Sequence, residues 1–287
     1  MAQRPVFMVK EQAPFFETVE VSFTFNAGFS ASQKQKNIAE IHRIFKNRFP
    51  SWEVLEISSK SMQEVGVPLS AFHLLKYVPS LGKKIPVENV FQGGKKFAFG
   101  GPFTDLYHVS PREAKRDERL QFCGRLTAFC FEGVEYPLEP KTAFYDWIYM
   151  NALLDNEDLC EKIMKYDAFT DIEFNPERSI NCQAKTAAVF VSLGRLGLLE
   201  QIRTFDGYMA LLSGERKIAG KTNASQTEMP AAPASPDVLV GDVIIHKLWG
   251  EGTVTAVEPS LIVTFAGVGE KKLGLAWVKQ NCRIVKR

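Results

Sequence analysis

Strict alternation opens the chain: Val19, Val21, Phe23 and Phe25 are separated by single polar residues, the period-two signature of a half-buried strand. A Gly-Phe-Ser turn then leads into a stretch with Ile38, Ile41 and Phe45 at three- and four-residue spacing, which predicts a helix ended by Pro50. Ser110, Pro111 and Glu113 supply an N-cap, a proline at the first helical position and the glutamate of a capping box, so another helix is expected there. Further helices are predicted over residues 142–154, 158–165, 181–193 and 196–212. The pattern from residue 1 to 216 therefore reads as a mostly helical, α+β domain with a minor strand component.

From Lys217 to Asp237 large apolar residues almost vanish and Ala, Pro, Ser and Thr dominate, a composition that burial cannot order. This stretch reads as a flexible linker. Residues 238–287 change texture again. Short β-prone runs at Val243 to Ile245, Thr253 to Val257 and Leu261 to Phe265, punctuated by Gly, Pro and Ser, predict a small all-β barrel of SH3 or Tudor type, independent of the first domain.

Composition narrows the functional classes only slightly. The 287 residues are 45% hydrophobic and 24% charged, the balance of an ordinary globular chain. A formal charge of +2 neither supports nor excludes nucleic acid, because phosphate affinity depends on local clusters. Five cysteines without a C-x-x-C pair predict reduced thiols, with neither a disulfide framework nor a zinc site. His42, His73 and His108 lack metal-ligand spacing. No leader-like segment or run of about 18 apolar residues is seen, so a cytoplasmic protein without membrane association is expected.

The segment from Pro86 to Lys95 carries the candidate chemistry. Read as a helix with proline at its first position, it groups Val87, Val90, Phe91, Gly94 and Phe97 on one arc and Glu88, Gln92 and Lys95 on the next. Gly93 and Gly94 cost such a helix about 1 kcal/mol each relative to alanine, which makes sense where a ligand or another backbone approaches closely. A carboxylate beside a desolvated lysine can perform acid–base and nucleophilic chemistry on a sugar; a solvated polar stripe gives the same spacing. Spacing alone does not decide.

Several ordered motifs resemble those of the NADAR family of N-glycosidases. Val87-Glu88-x-x-Phe91-Gln92-x-x-Lys95 is similar to the family's central helix motif, and Leu69-Ser70-Ala71-Phe72 to its Leu-Ser-Asn-Phe loop. Ser110 to Arg116 is similar to its Thr-Pro-x-x-Ala-Lys segment, and Ile172-Glu173 and Asn181 to Lys185 to later elements. The segments GFSASQKQK, AKRDERL, LEPKTAFYDW and FTDIEFNPERSINCQA resemble the subgroup encoded beside DarT-type toxins. That resemblance implies an antitoxin that hydrolyses ADP-ribosyl-guanine in DNA and so reverses a DarT-type ADP-ribosyltransferase, with no metal or other cofactor. Glu88 and Lys95 would be catalytic, and Ser70, Phe72, Gln92, Asp105, Arg119, Glu173 and Asn181 would bind substrate.

Asn89 replaces the family's usual histidine, Ala71 its loop asparagine, and its Trp-Gly element has no counterpart; these departures point away from riboflavin-pathway intermediates. An N-glycosidase for a small metabolite and a non-catalytic binder of ADP-ribosylated nucleic acid are the alternatives. Residue by residue, Phe72 suits stacking or core packing, and Asn181 a phosphate contact or an N-cap. Asp105 and Glu173 suit a site or a solvated loop. Lys115, Arg116, Arg119 and Arg125 suit a DNA face or, with Glu113, Asp117 and Glu118 interleaved, a salt-bridged helix. After the linker, Gly241 to Val254 resembles the Tudor-like barrel of UvrD/PcrA-type helicases, which implies docking on a DNA-associated protein, with Trp249 in the barrel core or at its interface.

Overall fold

The computed structural model describes residues 1–177, 179–214, 239–246, 250–257, 261–266, 269–273 and 282–285. The 217–237 linker and Trp249 lie outside the described residues. The chain divides into two units, Met1–Ile218 and Ala219–Arg287.

The first unit is mixed α/β rather than mostly helical. Its main sheet has the order β2-β1-β9-β3, from β1 (Ala2–Val9), β2 (Phe16–Phe23), β3 (Val54–Glu56) and β9 (Ala168–Thr170). β1 runs antiparallel to β2 and β9, and β9 is parallel to β3. Alternation reveals β2, whose Val19, Val21 and Phe23 turn inward. It hides β1, where Val6, Phe7, Met8 and Val9 are all buried. Val6 and Met8 join one core with Ile41 and Phe45 of α1 (Ala31–Arg48), while Phe7 and Val9 join a larger core on the other face. A strand covered on both faces reads as a continuous apolar run.

The other strands are β4 (Leu75–Val78) with β5 (Lys83–Pro86), and β6 (Lys95–Phe97) with β7 (Leu126–Phe131) and β8 (Val134–Tyr136); all but β7 are too short to show a period, and β7 is buried from Ala128 through Phe131 and shows none. The larger core surrounds α5 (Ala143–Leu154), which is buried from Ala143 through Leu153 and packs against α2 (Val87–Gly93), α6 (Glu157–Ile163), α7 (Gln183–Arg195) and α8 (Phe205–Leu212). Two smaller helices, α3 (Pro111–Arg116) and α4 (Arg119–Phe122), follow a 3-10 turn at Thr104–His108; the expected capping box is present on α3, Ser110 and Glu113 bonding each other's backbone. The helix expected over 196–212 is interrupted. Only Gln201–Arg203 forms a 3-10 turn before Thr204 caps α8.

α2 is shorter than its sequence pattern predicts. It begins at Val87, with Pro86 as its cap, and ends at Gly93, so Lys95 is the first residue of β6. Cys130 N donates to Gly94 O at 2.6 Å, locking the helix end onto β7. A Cβ at Gly94 would lie 2.6 Å from Cys130 O, and one at Gly93 would lie 2.5 Å from the Tyr107 ring and 2.9 Å from Phe103 O. The glycines therefore admit protein atoms, and neither needs a positive φ. Gly94→Ala is expected to cost about 1–3 kcal/mol by overpacking, read as a lower urea midpoint with an unchanged m-value.

The second unit is an antiparallel sheet of order β13-β12-β11-β10-β14, from β10 (Val243–His246), β11 (Gly250–Ala256), β12 (Leu261–Phe265), β13 (Gly269–Leu273) and β14 (Cys282–Val285). Ile244, Val254, Val263 and Phe265 are buried. The strands do not close into the expected barrel among the described residues: β13 and β14 remain its edges. No helix among the described residues is long and apolar enough to cross a membrane.

Candidate active site

Glu88 stands in the first turn of α2 and Gln92 one turn later, so the two share a face. Gln92 Nε2 donates to Glu88 Oε1 at 2.8 Å, and Lys95 Nζ donates to Gln92 Oε1 at 2.6 Å. Lys95 thus completes the polar row from a strand, after the chain has left the helix. Glu88 and Gln92 are only 5% and 6% exposed, which makes this row a buried feature rather than a solvated stripe. Burial lowers the Lys95 amine to about 8; the Glu88 carboxylate opposes that shift and the Lys115 ammonium adds to it. The amine also lies 4.8 Å from the centre of the Phe91 ring.

Lys115, at the end of α3, covers the carboxylate: its Nζ is 3.8 Å from Glu88 Oε1 and 5.3 Å from the centre of the Phe72 ring. Phe72 belongs to the loop that seats α2, for Glu88 N donates to Ala71 O at 2.9 Å and Val87 N to Leu74 O at 2.9 Å. Gln183, at the start of α7, holds the same loop by accepting from Ala71 N at 2.8 Å and donating to Ile57 O at 2.7 Å. Phe72, Lys115, Glu88, Gln92 and Lys95 therefore form one continuous row. Ser70 is buried beside it but spends its hydroxyl on Val67 O, at 2.9 Å, and His73 Nδ1, at 2.7 Å, so its work is to shape the loop.

Behind Glu88 lies Tyr145, whose hydroxyl is raised well above its ordinary value by burial first, then by the charge of Glu88, with Tyr149 and Asp171 adding to it. It remains a neutral donor. Asp171 is itself raised, by burial and then by the charge of Glu56, a buried carboxylate that accepts from Thr170 Oγ1 at 2.6 Å and Ile172 N at 2.8 Å. Burial raises Glu56 as well, and the hydrogen bonds from Ile172 and Thr170 oppose that shift. Among the described residues, no group of three or more His, Cys, Asp or Glu is placed to hold a metal ion.

The remaining expected residues are not bonded to this row. Asp105 and Arg119 bond each other, Nη2 to Oδ2 at 2.6 Å, and Arg119 Nε also donates to Asp117 at 2.8 Å. Glu173 receives Lys34 Nζ at 2.6 Å. Asn181 precedes the α7 N-cap, which is Cys182; its own Oδ1 is buried without a partner among the described residues. Asn89, fully buried, donates through Nδ2 to Leu106 O at 2.7 Å and Val109 O at 2.8 Å, fastening α2 to the 3-10 turn away from the polar row.

Sequence reasoning did not single out Lys115 as a partner of Glu88, nor Gln183, Tyr145, Asp171 or Glu56. Gln183 stood inside a recognisable segment, Asn181 to Lys185, and so was within reach. The Glu56 to Thr170 bond joins residues 114 apart, and no local pattern announces it.

No curated protein matches the chain. A family model described as the DarT1-associated NADAR antitoxin matches residues 2–221, which contain every residue of the polar row, while β10 to β14 lie beyond the match. By that match the chain belongs to the DarT1-associated NADAR antitoxin family.

Proposed function

We propose that this antitoxin is an N-glycosidase that removes ADP-ribose from guanine in DNA, reversing the modification made by its paired DarT-type toxin. The observation that carries the reading is the buried Glu88–Gln92–Lys95 row with its lowered amine. A neutral lysine is a nucleophile; an ammonium is not. The Lys95 lone pair attacks C1 of the ribose, the bond to the guanine nitrogen breaks with its electron pair leaving on the base, and Glu88 conveys a proton from the new C1–N centre to that nitrogen. Ring opening then gives a protonated Schiff base as the ring oxygen takes a proton from solvent. Water deprotonated by Glu88 adds to C1; Glu88 passes that proton to the lysine nitrogen, takes the proton of the new hydroxyl as the amine leaves, and returns it to solvent, so ADP-ribose departs with a C1 aldehyde that recloses on its own hydroxyl. Gln92 positions both groups, while Phe72 offers a ring face to a base or adenine. The second unit serves as a tether to DNA-associated protein, a role supported by its sequence resemblance to helicase C-terminal modules.

The test is kcat/KM for ADP-ribose release from a modified oligonucleotide, measured against pH. With the amine near 8, the neutral fraction rises about tenfold per pH unit below that value and levels off above it. The profile should therefore climb from pH 6 and flatten above about 9. A profile flat across pH 6–9 would remove the neutral amine from the rate equation.

A further inference from the structure

Two phenylalanines close to the polar row are left almost bare: Phe99 is 84% and Phe122 77% exposed. They sit at the end of the β6–β7 pairing. Phe97 N donates to Gly100 O at 2.7 Å to form a tight turn, Ala98 N donates to Arg125 O at 2.9 Å, and Phe99 N donates to Cys123 O at 3.0 Å. Phe99 is thus tied to the neighbour of Phe122. Its ring also covers Gly124, where a Cβ would lie 2.8 Å from Phe99 Cδ2. Lys95 begins β6 and Phe99 lies two residues past its end, so four residue steps, at most about 13 Å of extended chain, separate their Cα atoms.

The surrounding charge is selective. Arg116 and Arg125 are exposed, and among the described residues their side chains make no ion pair or hydrogen bond. The nearby acids are mostly engaged: Asp105 and Asp117 clamp Arg119, which lies 4.5 Å over the Phe103 ring, and Glu113 is held in the capping box. Glu118 is the exposed acid of α3–α4 whose carboxylate has no partner among the described residues. Bare aromatic rings, with unpaired guanidiniums on Arg116 at the end of α3 and on Arg125, whose carbonyl bonds the neighbour of Phe99, suit a single nucleic-acid strand, whose bases stack on rings while its phosphates meet cations; a duplex hides its base faces.

We infer that Phe99 and Phe122 are a stacking platform for the unmodified bases flanking the ADP-ribosylated nucleotide in single-stranded nucleic acid, with Arg116 and Arg125 on its phosphates. The alignment of the modified base with Lys95 rests on the glycosidase reading; strand binding by itself does not. A fluorescent, unmodified 12-nucleotide single strand titrated with the full chain gives the direct readout. The Phe99→Ala/Phe122→Ala double variant should weaken binding by about tenfold or more, and Phe99→Tyr/Phe122→Tyr should restore it. Arg125→Ala should reduce the slope of log affinity against log salt by about 0.7.

In turnover, the alanine pair should raise KM for a modified oligonucleotide while leaving kcat/KM for the modified nucleoside alone unchanged. Wild-type affinity in the alanine pair, failure of the tyrosine pair to rescue, or equal losses on oligonucleotide and nucleoside would each overturn the platform. Loss of strand binding by the alanine pair, in a protein that releases no ADP-ribose at all, would uphold the platform and reject the glycosidase.

Discussion

Lys95→Ala should reduce ADP-ribose release from modified DNA by at least about a thousandfold, the scale on which loss of a nucleophile is felt, while leaving the protein folded. The structural side of this expectation follows from linkage. The amine lies near 8 in the folded protein and at 10.5 in its ordinary state, so between those values the unfolded chain binds more protons than the folded one. Stability contributed at this position therefore rises with pH from about 8 to 10.5, and below 8 the buried charge is a burden. Removing it at neutral pH relieves that burden, which opposes the loss of the hydrogen bond to Gln92 Oε1. The melting temperature of the variant should lie within about 5 °C of wild type. Borohydride added during turnover should attach ADP-ribose to wild-type Lys95 through a reduced Schiff base and leave Lys95→Ala and Lys95→Arg unmodified.

Glu88→Gln should lower kcat by about 10²–10⁴, the range for loss of a general acid–base. The substitution is nearly isosteric, and its Oε1 can still accept from Gln92 Nε2. Two electrostatic changes accompany it. Lys115 loses the carboxylate 3.8 Å away, and Lys95 loses the charge that holds its amine up. The amine should then fall further, moving the rising limb of the pH profile toward acid even as its plateau drops. If Glu88 only tuned the lysine, the variant would hold more neutral amine at pH 7 and would be the faster enzyme. A lower plateau with an acid-shifted midpoint is therefore the signature of direct proton handling by Glu88.

Much of this site was legible because its chemistry is local. Glu88, Gln92 and Lys95 fall within eight residues, and helical phasing joins the first two. Lys95 reached the same row for a different reason, since Gly94 closes the helix against Cys130 and hands the lysine to a strand. Adjacent glycines predict close approach by a ligand or a backbone; the β7 backbone and the Tyr107 ring make that approach.

What stayed hidden is long-range or brief. β1 is buried on both faces and shows no alternation, and strands of three or four residues carry no period. Gln183 reaches the Phe72 loop through contacts 112 residues apart in sequence. Asn181 read as a polar candidate, and Asn89 as the replacement of the family's usual histidine. Asn89 proved to be a clasp inside the fold, and Asn181 yielded the N-cap to Cys182.

The central claim concerns which bond breaks. An oligonucleotide carrying one ADP-ribosyl-guanine, incubated with the full chain and read by intact mass, should yield the unmodified oligonucleotide and free ADP-ribose in equal amounts, with no intermediate mass. An oligonucleotide left unchanged, or one retaining ribose or phosphoribose on its guanine, would contradict glycosidic cleavage at C1 by Glu88 and Lys95.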